Sequence, residues 1–185
     1  MSRIDGLVLA AGASRRMGRP KPLEIRDGKT WLANAVAALR PHVRRVWVAV
    51  GHDAERVRAA HEGADVRWIE ADLWEEGMGA TLACAVRTIA ESDATGIVVV
   101  PCDLPDLDAR IVARLIESAS APGRTAAACA YGGVLGIPVC IDRVWFDRFA
   151  ELRGDRGARD RLRTGDPAIA AVDWPEGARD RDRSL

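Results

Sequence analysis

The chain has 185 residues, with 27 basic and 27 acidic side chains, 48% hydrophobic residues and 29% charged ones. That length and balance suit one globular domain over 1–185 built on a single core, and they exclude a disordered chain. Zero net charge removes the basic footprint of a nucleic-acid binder, and no stretch approaches the ~20 apolar residues of a membrane span.

Arg3 followed by the apolar run Ile4–Ala10 imitates a secretory leader. Asp5 interrupts its start and basic residues follow at once, so a buried first strand and a cytoplasmic protein are the better expectation. Thr30 can cap a helix that places Leu32, Val36 and Leu39 on one face. A second strand is expected over 46–50, ended by Gly51, then a short helix from Asp53 through His61 and a third strand over 66–70. Leu82, Val86 and Ile89 mark the next helix, and 97–100 is the most strand-like run in the chain, ending at Pro101-Cys102-Asp103. Leu107, Ile111, Leu115 and Ile116 line a further helix face. Two strands over 125–130 and 135–141 join through Gly132-Gly133 as an antiparallel excursion, Trp145, Phe149 and Leu152 follow at helical spacing, and a last strand covers 168–172.

Strands alternating with helices imply a three-layer α/β/α sandwich around a mostly parallel, mixed sheet. Ligands of such sheets bind beyond the carboxyl ends of the strands, where the strand order reverses. The loops after the first, third and fourth strands are therefore the ones that matter. The cysteines Cys84, Cys102, Cys129 and Cys140 have neither CxxC spacing nor nearby histidines, which points to buried or half-buried thiols rather than a zinc site or disulfides. Trp74 and the helix carrying Trp145 are given no role.

The loop after the first strand reads Leu9-Ala10-Ala11-Gly12-Ala13-Ser14-Arg15-Arg16-Met17-Gly18-Arg19-Pro20-Lys21. Small residues let backbone N–H groups approach phosphate oxygens, and the basic residues that follow can neutralise them. Lys21 stands out, because Lys29 is the only other lysine. The glycines Gly12 and Gly18 do not have Walker A spacing, and GxGxxG is absent, so neither a P-loop ATPase nor a conventional NAD enzyme follows.

LAAGASRRMGRPK resembles the LAAGxSxRMGxxK signature of MobA-like NTP transferases, and most closely that of molybdenum-cofactor cytidylyltransferases. Further likenesses follow in order. Glu76-Gly77-Met78-Gly79-Ala80-Thr81-Leu82 is similar to EGMGxSL, Pro101-Cys102-Asp103-Leu104-Pro105 to the GDxP segment, and Gly136-Ile137-Pro138-Val139 to GHPV. Gly154-Asp155-Arg156-Gly157-Ala158-Arg159 is similar to GDxGAR, and Asp180-Arg181-Asp182 to the closing DxD. Cys102 stands in place of the family's glycine, Ile137 in place of its histidine, and Arg183-Ser184 in place of the Thr-Pro that closes its final motif.

The resemblance implies a Rossmann-like nucleotidyltransferase fold and a Mg²⁺-dependent transfer of NMP onto a phosphorylated acceptor, with release of pyrophosphate. It places Mg²⁺ on Asp103 and Asp182, with Arg16, Lys21 and Asp103 as the catalytic groups. The nucleotide would meet Leu9, Ala10, Ala11, Gly12, Ala13, Ser14, Arg16, Lys21, Gly79, Thr81 and Asp103. Gly136, Pro138, Asp155 and Arg159 fall on the acceptor side, with GDRGAR equally readable as a helix-start motif that only packs. The double alanine resembles the cytidylyl branch rather than the LAGG of the guanylyl branch, which favours CTP, with molybdopterin as acceptor and a molybdenum hydroxylase as an eventual partner. Two alternatives remain: an NAD(P)H-dependent oxidoreductase of the nicotine-blue type, as some relatives are assigned, and a non-catalytic molybdoenzyme maturation factor.

Overall fold

The computed structural model describes residues 3–13, 20–131, 133–155, 157–162 and 165–178. In chain order the elements are β1 (Ile4–Ala10), the hairpin strands β2 (Ile25–Arg26) and β3 (Lys29–Thr30), α1 (Trp31–Leu39), β4 (Val46–Val50), α2 (Ala54–Ala59), β5 (Arg67–Glu70), α3 (Met78–Ala90), β6 (Gly96–Pro101), α4 (Ala109–Ala119), β7 (Ala126–Tyr131), β8 (Val134–Asp142), α5 (Phe146–Ala150) and β9 (Ile169–Asp173).

Seven strands form one sheet in the order β5-β4-β1-β6-β8-β7-β9. Every neighbouring pair is parallel except the two that involve β8, so β8 alone runs against the rest. This is the mostly parallel, mixed sheet expected from the alternation of elements, with the hairpin β7–β8 as its antiparallel excursion. The two faces of each central strand serve two different cores. Leu7, Leu9, Ala49, Ile97 and Val99 pack with Leu82, Val86 and Ile89 of α3 and with Phe146 and Phe149 of α5. Val8, Val48, Val50, Val98 and Val100 pack with Leu32 and Leu39 of α1, Val57 of α2, and Ile111 and Leu115 of α4. Both faces are covered, which explains why 97–100 reads as an unbroken apolar run instead of an alternating one. Each such leucine or isoleucine removed from water contributes about 1.5–3 kcal/mol.

Local signals account for most element ends. Thr30 caps α1 by accepting from Ala33 N–H at 3.1 Å. Asp108 caps α4, accepting from the N–H groups of Arg110 and Ile111 at 3.0 Å each, so Leu107 lies just before the helix rather than on it. The reading of 53–61 needs correction. Asp53 holds the N-cap position of α2 in the left-handed region (φ 53), makes no side-chain cap bond, and the helix ends at Ala59. His61 lies beyond it, with Nε2 at 2.7 Å from Thr30 Oγ1 and Nδ1 at 2.8 Å from Val57 O.

One buried charge lies at the start of β1. Asp5 is fully buried and accepts from Trp47 Nε1 at 2.9 Å and Arg44 Nε at 3.2 Å. Arg44 also forks onto Asp93 at 2.7 and 2.8 Å. The network ties β1, β4 and the turn before β6 together at the amino end of the sheet. Among the described residues no helix is long and apolar enough to cross a membrane.

Candidate active site

β4 and β5 lie to one side of β1 and β6 to the other, so the order of strands reverses between β1 and β6. A cleft of about 380 Å³ opens there. It is walled from all three expected directions: residues 9–13 at the end of β1, Trp74, Glu75, Gly77, Met78 and Thr81 after β5, and residues 101–103 at the end of β6.

The placement of Asp103 follows from the sheet. β6 pairs in register with β1 as far as Leu9 opposite Pro101, and Cys102 N–H then donates to Leu9 O at 3.1 Å. Asp103 is the next residue, released from the ladder at the mouth of the cleft. Lys21 reaches the same point from a single turn of 3₁₀ helix, Lys21–Leu23, entered from the extended Pro20 and anchored by the buried Pro22. Its Nζ lies 3.0 Å from Asp103 Oδ2, with both side chains partly open to solvent. The neighbouring Cys102 thiol is pushed far up by burial and by the Asp103 carboxylate, Lys21 opposing, which favours its neutral form.

The opposite wall is α3. Its first turn takes its hydrogen-bond acceptor from a distant loop: Gly154 O accepts from Gly79 N–H at 2.8 Å and from Ala80 N–H at 3.3 Å. Gly77, which precedes the helix, has φ 124, and a Cβ there would come within 2.1 Å of Asp155 Oδ1. The two glycine-rich segments are thus interlocked, and Asp155 is carried to the edge of the cleft. Thr81 is buried but lines the cleft, its Oγ1 donating weakly to Gly77 O at 3.4 Å.

Of the residues singled out in the sequence, Leu9, Ala10, Ala11, Gly12, Ala13, Lys21, Thr81, Asp103 and Asp155 are brought together around this cleft. Gly79 is not on its lining; its N–H is taken by Gly154, and Gly77 occupies the surface in its place. Gly136, Pro138 and Arg159 are not on its lining; Gly136 and Arg159 gather around Tyr131 on the hairpin β7–β8, with Pro138 further along β8. Tyr131 OH donates to Ile137 O at 2.9 Å, the Arg159 guanidinium lies 5.7 Å from the Tyr131 ring centre, and a Cβ on Gly136 would meet the Tyr131 hydroxyl. Ser14, Arg16 and Asp182 lie outside the described residues. The sequence reading missed Pro22, Trp74, Glu75 and Met78, which also line the cleft. The signal for three of them was their place beside Gly77 in the loop after β5.

At the mouth the Asp103 carboxylate stands beside the Lys21 ammonium, and the sulfurs of Cys102 and Met78 belong to residues that also line the cleft. No cluster of three or more metal-ligating side chains exists among the described residues. The solvent-open side of the Asp103 carboxylate fits a divalent ion that keeps several waters and uses one or two carboxylates with substrate phosphates.

An open α/β sheet with a small-residue loop, a lysine and a carboxylate converging at its switch point defines a nucleotide-handling protein. Residues 6–170 match the MobA-like NTP transferase domain, and the chain belongs to that family. Among its relatives, the molybdenum cofactor guanylyltransferase of Shewanella sp. (strain ANA-3) is 30% identical over 120 residues, which cover 64% of this chain and 58% of that protein. The chain thus spans under two thirds of the length of that relative. Among solved structures, Rv0371C from Mycobacterium tuberculosis H37Rv in complex with manganese is 26% identical, with a TM-score of 0.76 over 94% of this chain and 89% of that one. A nucleotidyl transferase from Methanothermobacter is 25% identical, with a TM-score of 0.77 over 92% of this chain and 87% of that one.

Proposed function

We propose that this protein transfers NMP from an NTP to a phosphate of a molybdopterin-type acceptor, releasing pyrophosphate. The observation that carries the reading is the Lys21–Asp103 pair at the mouth of a cleft floored by the small-residue loop after β1. An acceptor phosphate oxygen forms the new bond to the α-phosphorus, and the bond from that phosphorus to the bridging β-oxygen breaks. No covalent protein nucleophile is required. The protein positions the groups and stabilises charge.

Asp103, with Asp182, would hold a divalent cation, which when bound supplies neutralising charge to the triphosphate. The manganese complex of the Mycobacterium tuberculosis protein supports a divalent ion in such a fold. Lys21 and Arg16 neutralise the triphosphate and the charge that develops on departing pyrophosphate. The backbone of Ala10–Ala13 in number order meets phosphates and base, and Thr81 offers its hydroxyl to the base or ribose. Asp155, at the edge of the cleft, faces the acceptor side.

CTP is the favoured donor. Ala11, the second alanine of the cytidylyl-like signature, lines the cleft at the position where the guanylyl branch has glycine. GTP is the second reading, because relatives such as the Shewanella protein are named guanylyltransferases. The test is to supply the purified chain with Mg²⁺, molybdopterin and each of CTP, GTP, ATP and UTP in turn, and to measure pyrophosphate. The expected result is release with CTP, lost on chelation by EDTA. Release with GTP alone would assign the purine, and release with none of the four would overturn transfer itself. A non-catalytic carrier of molybdopterin would bind the acceptor and release nothing.

A further inference from the structure

Trp74 is the largest side chain on the cleft wall, and its seat is unusually constrained. It opens the 3₁₀ turn Trp74–Glu76, with its N–H donating to Ala71 O at 3.0 Å and its carbonyl accepting from Gly77 N–H at 3.1 Å. The ring root lies directly on Gly51, the residue that ends β4. A Cβ on Gly51 would come within 2.4–2.6 Å of Trp74 Cγ, Cβ and Cδ1, so only glycine admits the indole there. The His52 ring lies against the indole, centres 5.3 Å apart and planes tilted by 56°. His52 N–H in turn donates to Ala11 O at 3.1 Å, tying this support to the small-residue loop.

The ring so held is only half-buried and lines the cleft together with Met78, itself 47% exposed. Leaving both apolar side chains open to water costs burial that the core would otherwise gain. The strand order explains what they face. Trp74 follows β5 and leans on the end of β4, whereas Lys21 and Asp103 meet at the end of β6, with the loop after β1 between them. The cleft therefore has Trp74, flanked by Glu75 and Met78, at one end and the Lys21–Asp103 pair at the other, with the small-residue loop after β1 between them.

The structure assigns to Trp74 the role of a fixed platform for the planar heteroaromatic ring of a phosphorylated ligand, a specificity-determining contact made through the ring face. Two ligands of the proposed reaction carry such a ring, the nucleobase of the NTP and the pterin of the acceptor. The assignment rests on the nucleotidyl-transfer reading, and its test separates the two.

The test is equilibrium binding to the full chain in Mg²⁺, for the wild type, Trp74→Ala and Trp74→Phe, with CTP, GTP, inorganic tripolyphosphate and 6-hydroxymethylpterin as probes. Trp74→Ala should weaken either the nucleotide or the pterin by about tenfold, within the range that base–aromatic stacking supports. Trp74→Phe should recover most of that loss, and tripolyphosphate should bind all three proteins alike. A loss confined to nucleotides assigns the platform to the base, and a loss confined to the pterin assigns it to the acceptor; both uphold it. Unchanged binding of every probe to Trp74→Ala overturns the platform, as does an equal loss of tripolyphosphate, which would mean that the loop had collapsed. A wild-type protein that binds the pterin through Trp74 but neither nucleotide nor tripolyphosphate would leave the platform standing and defeat the transfer reading. A wild type that binds none of the probes would defeat both.

Discussion

Lys21 Nζ and Asp103 Oδ2 stand 3.0 Å apart at the carboxyl ends of adjacent strands, a contact made between segments 82 residues apart in sequence. In the proposed reaction the pair puts opposite charges where triphosphate oxygens and a divalent ion would meet. Asp103→Ala should lower turnover by about a hundredfold or more, the scale set by loss of a group that stabilises developing charge. The melting temperature should change little, because Asp103 is partly solvated and packs no core. Pyrophosphate release by steady-state assay checks it, and undiminished turnover would remove Asp103 from the chemistry.

The interlock of Gly77 with Gly154 and Asp155 makes a stability prediction. Gly77→Ala must place a methyl group on a backbone with φ 124, within 2.7 Å of Asp155 N and Gly154 C. The loop cannot yield without losing the cap on α3. The substitution should destabilise the protein by about 2 kcal/mol or more, measured as a lower urea midpoint, and should also raise KM for the nucleotide. A variant as stable as the wild type would show that the two segments do not press together.

Asp5 provides the contrasting case, since it contributes to stability and lies at the far end of the sheet from the cleft. Asp5→Ala strands the indole N–H of Trp47, a donor inside the protein, at a cost of about 1–3 kcal/mol. Urea unfolding should show that loss while kcat and KM stay near wild type. A fall in kcat without a fall in stability would contradict this division of labour.

Asp93 gives the acid limb of stability. The hydrogen bonds from Arg44 hold its carboxyl well below the usual carboxylate range, with Arg45 adding to the effect and partial desolvation opposing it. A depressed folded-state value means that the contribution is present above the ordinary pKa of about 3.9 and is lost as pH falls below it. The urea midpoint of the wild type should therefore fall more steeply in acid than that of Asp93→Asn, and the two curves should converge at low pH. Parallel curves would show that the Arg44 contact is absent in solution.

The architecture was legible because its central strands are buried on both faces. Ile97-Val98-Val99-Val100 is the most strand-like run in the chain, and the small residues and Lys21 after the first strand suit a loop that binds anions. The hairpin β2–β3 escaped notice despite its Asp27-Gly28 turn, where both residues have positive φ (52 and 78). Its strands are two residues each, too short for a period-two pattern. The seat of Trp74 was invisible for a different reason. It depends on a missing side chain at Gly51, from another strand, and no local pattern reports a vacancy that a distant residue fills. The meeting of Gly136 and Arg159 at Tyr131 likewise joins segments that are distant in sequence, which spacing along the chain does not encode.

The carbonyl of Gly154 that receives the N–H groups of Gly79 and Ala80 has a consequence for how the protein matures. A nascent chain halted before that carbonyl emerged would already hold β1, β4, β5 and β6, yet the leading turn of α3 would lack its acceptor. The wall of the pocket is thus completed by a residue 75 positions further along the chain than the turn it steadies.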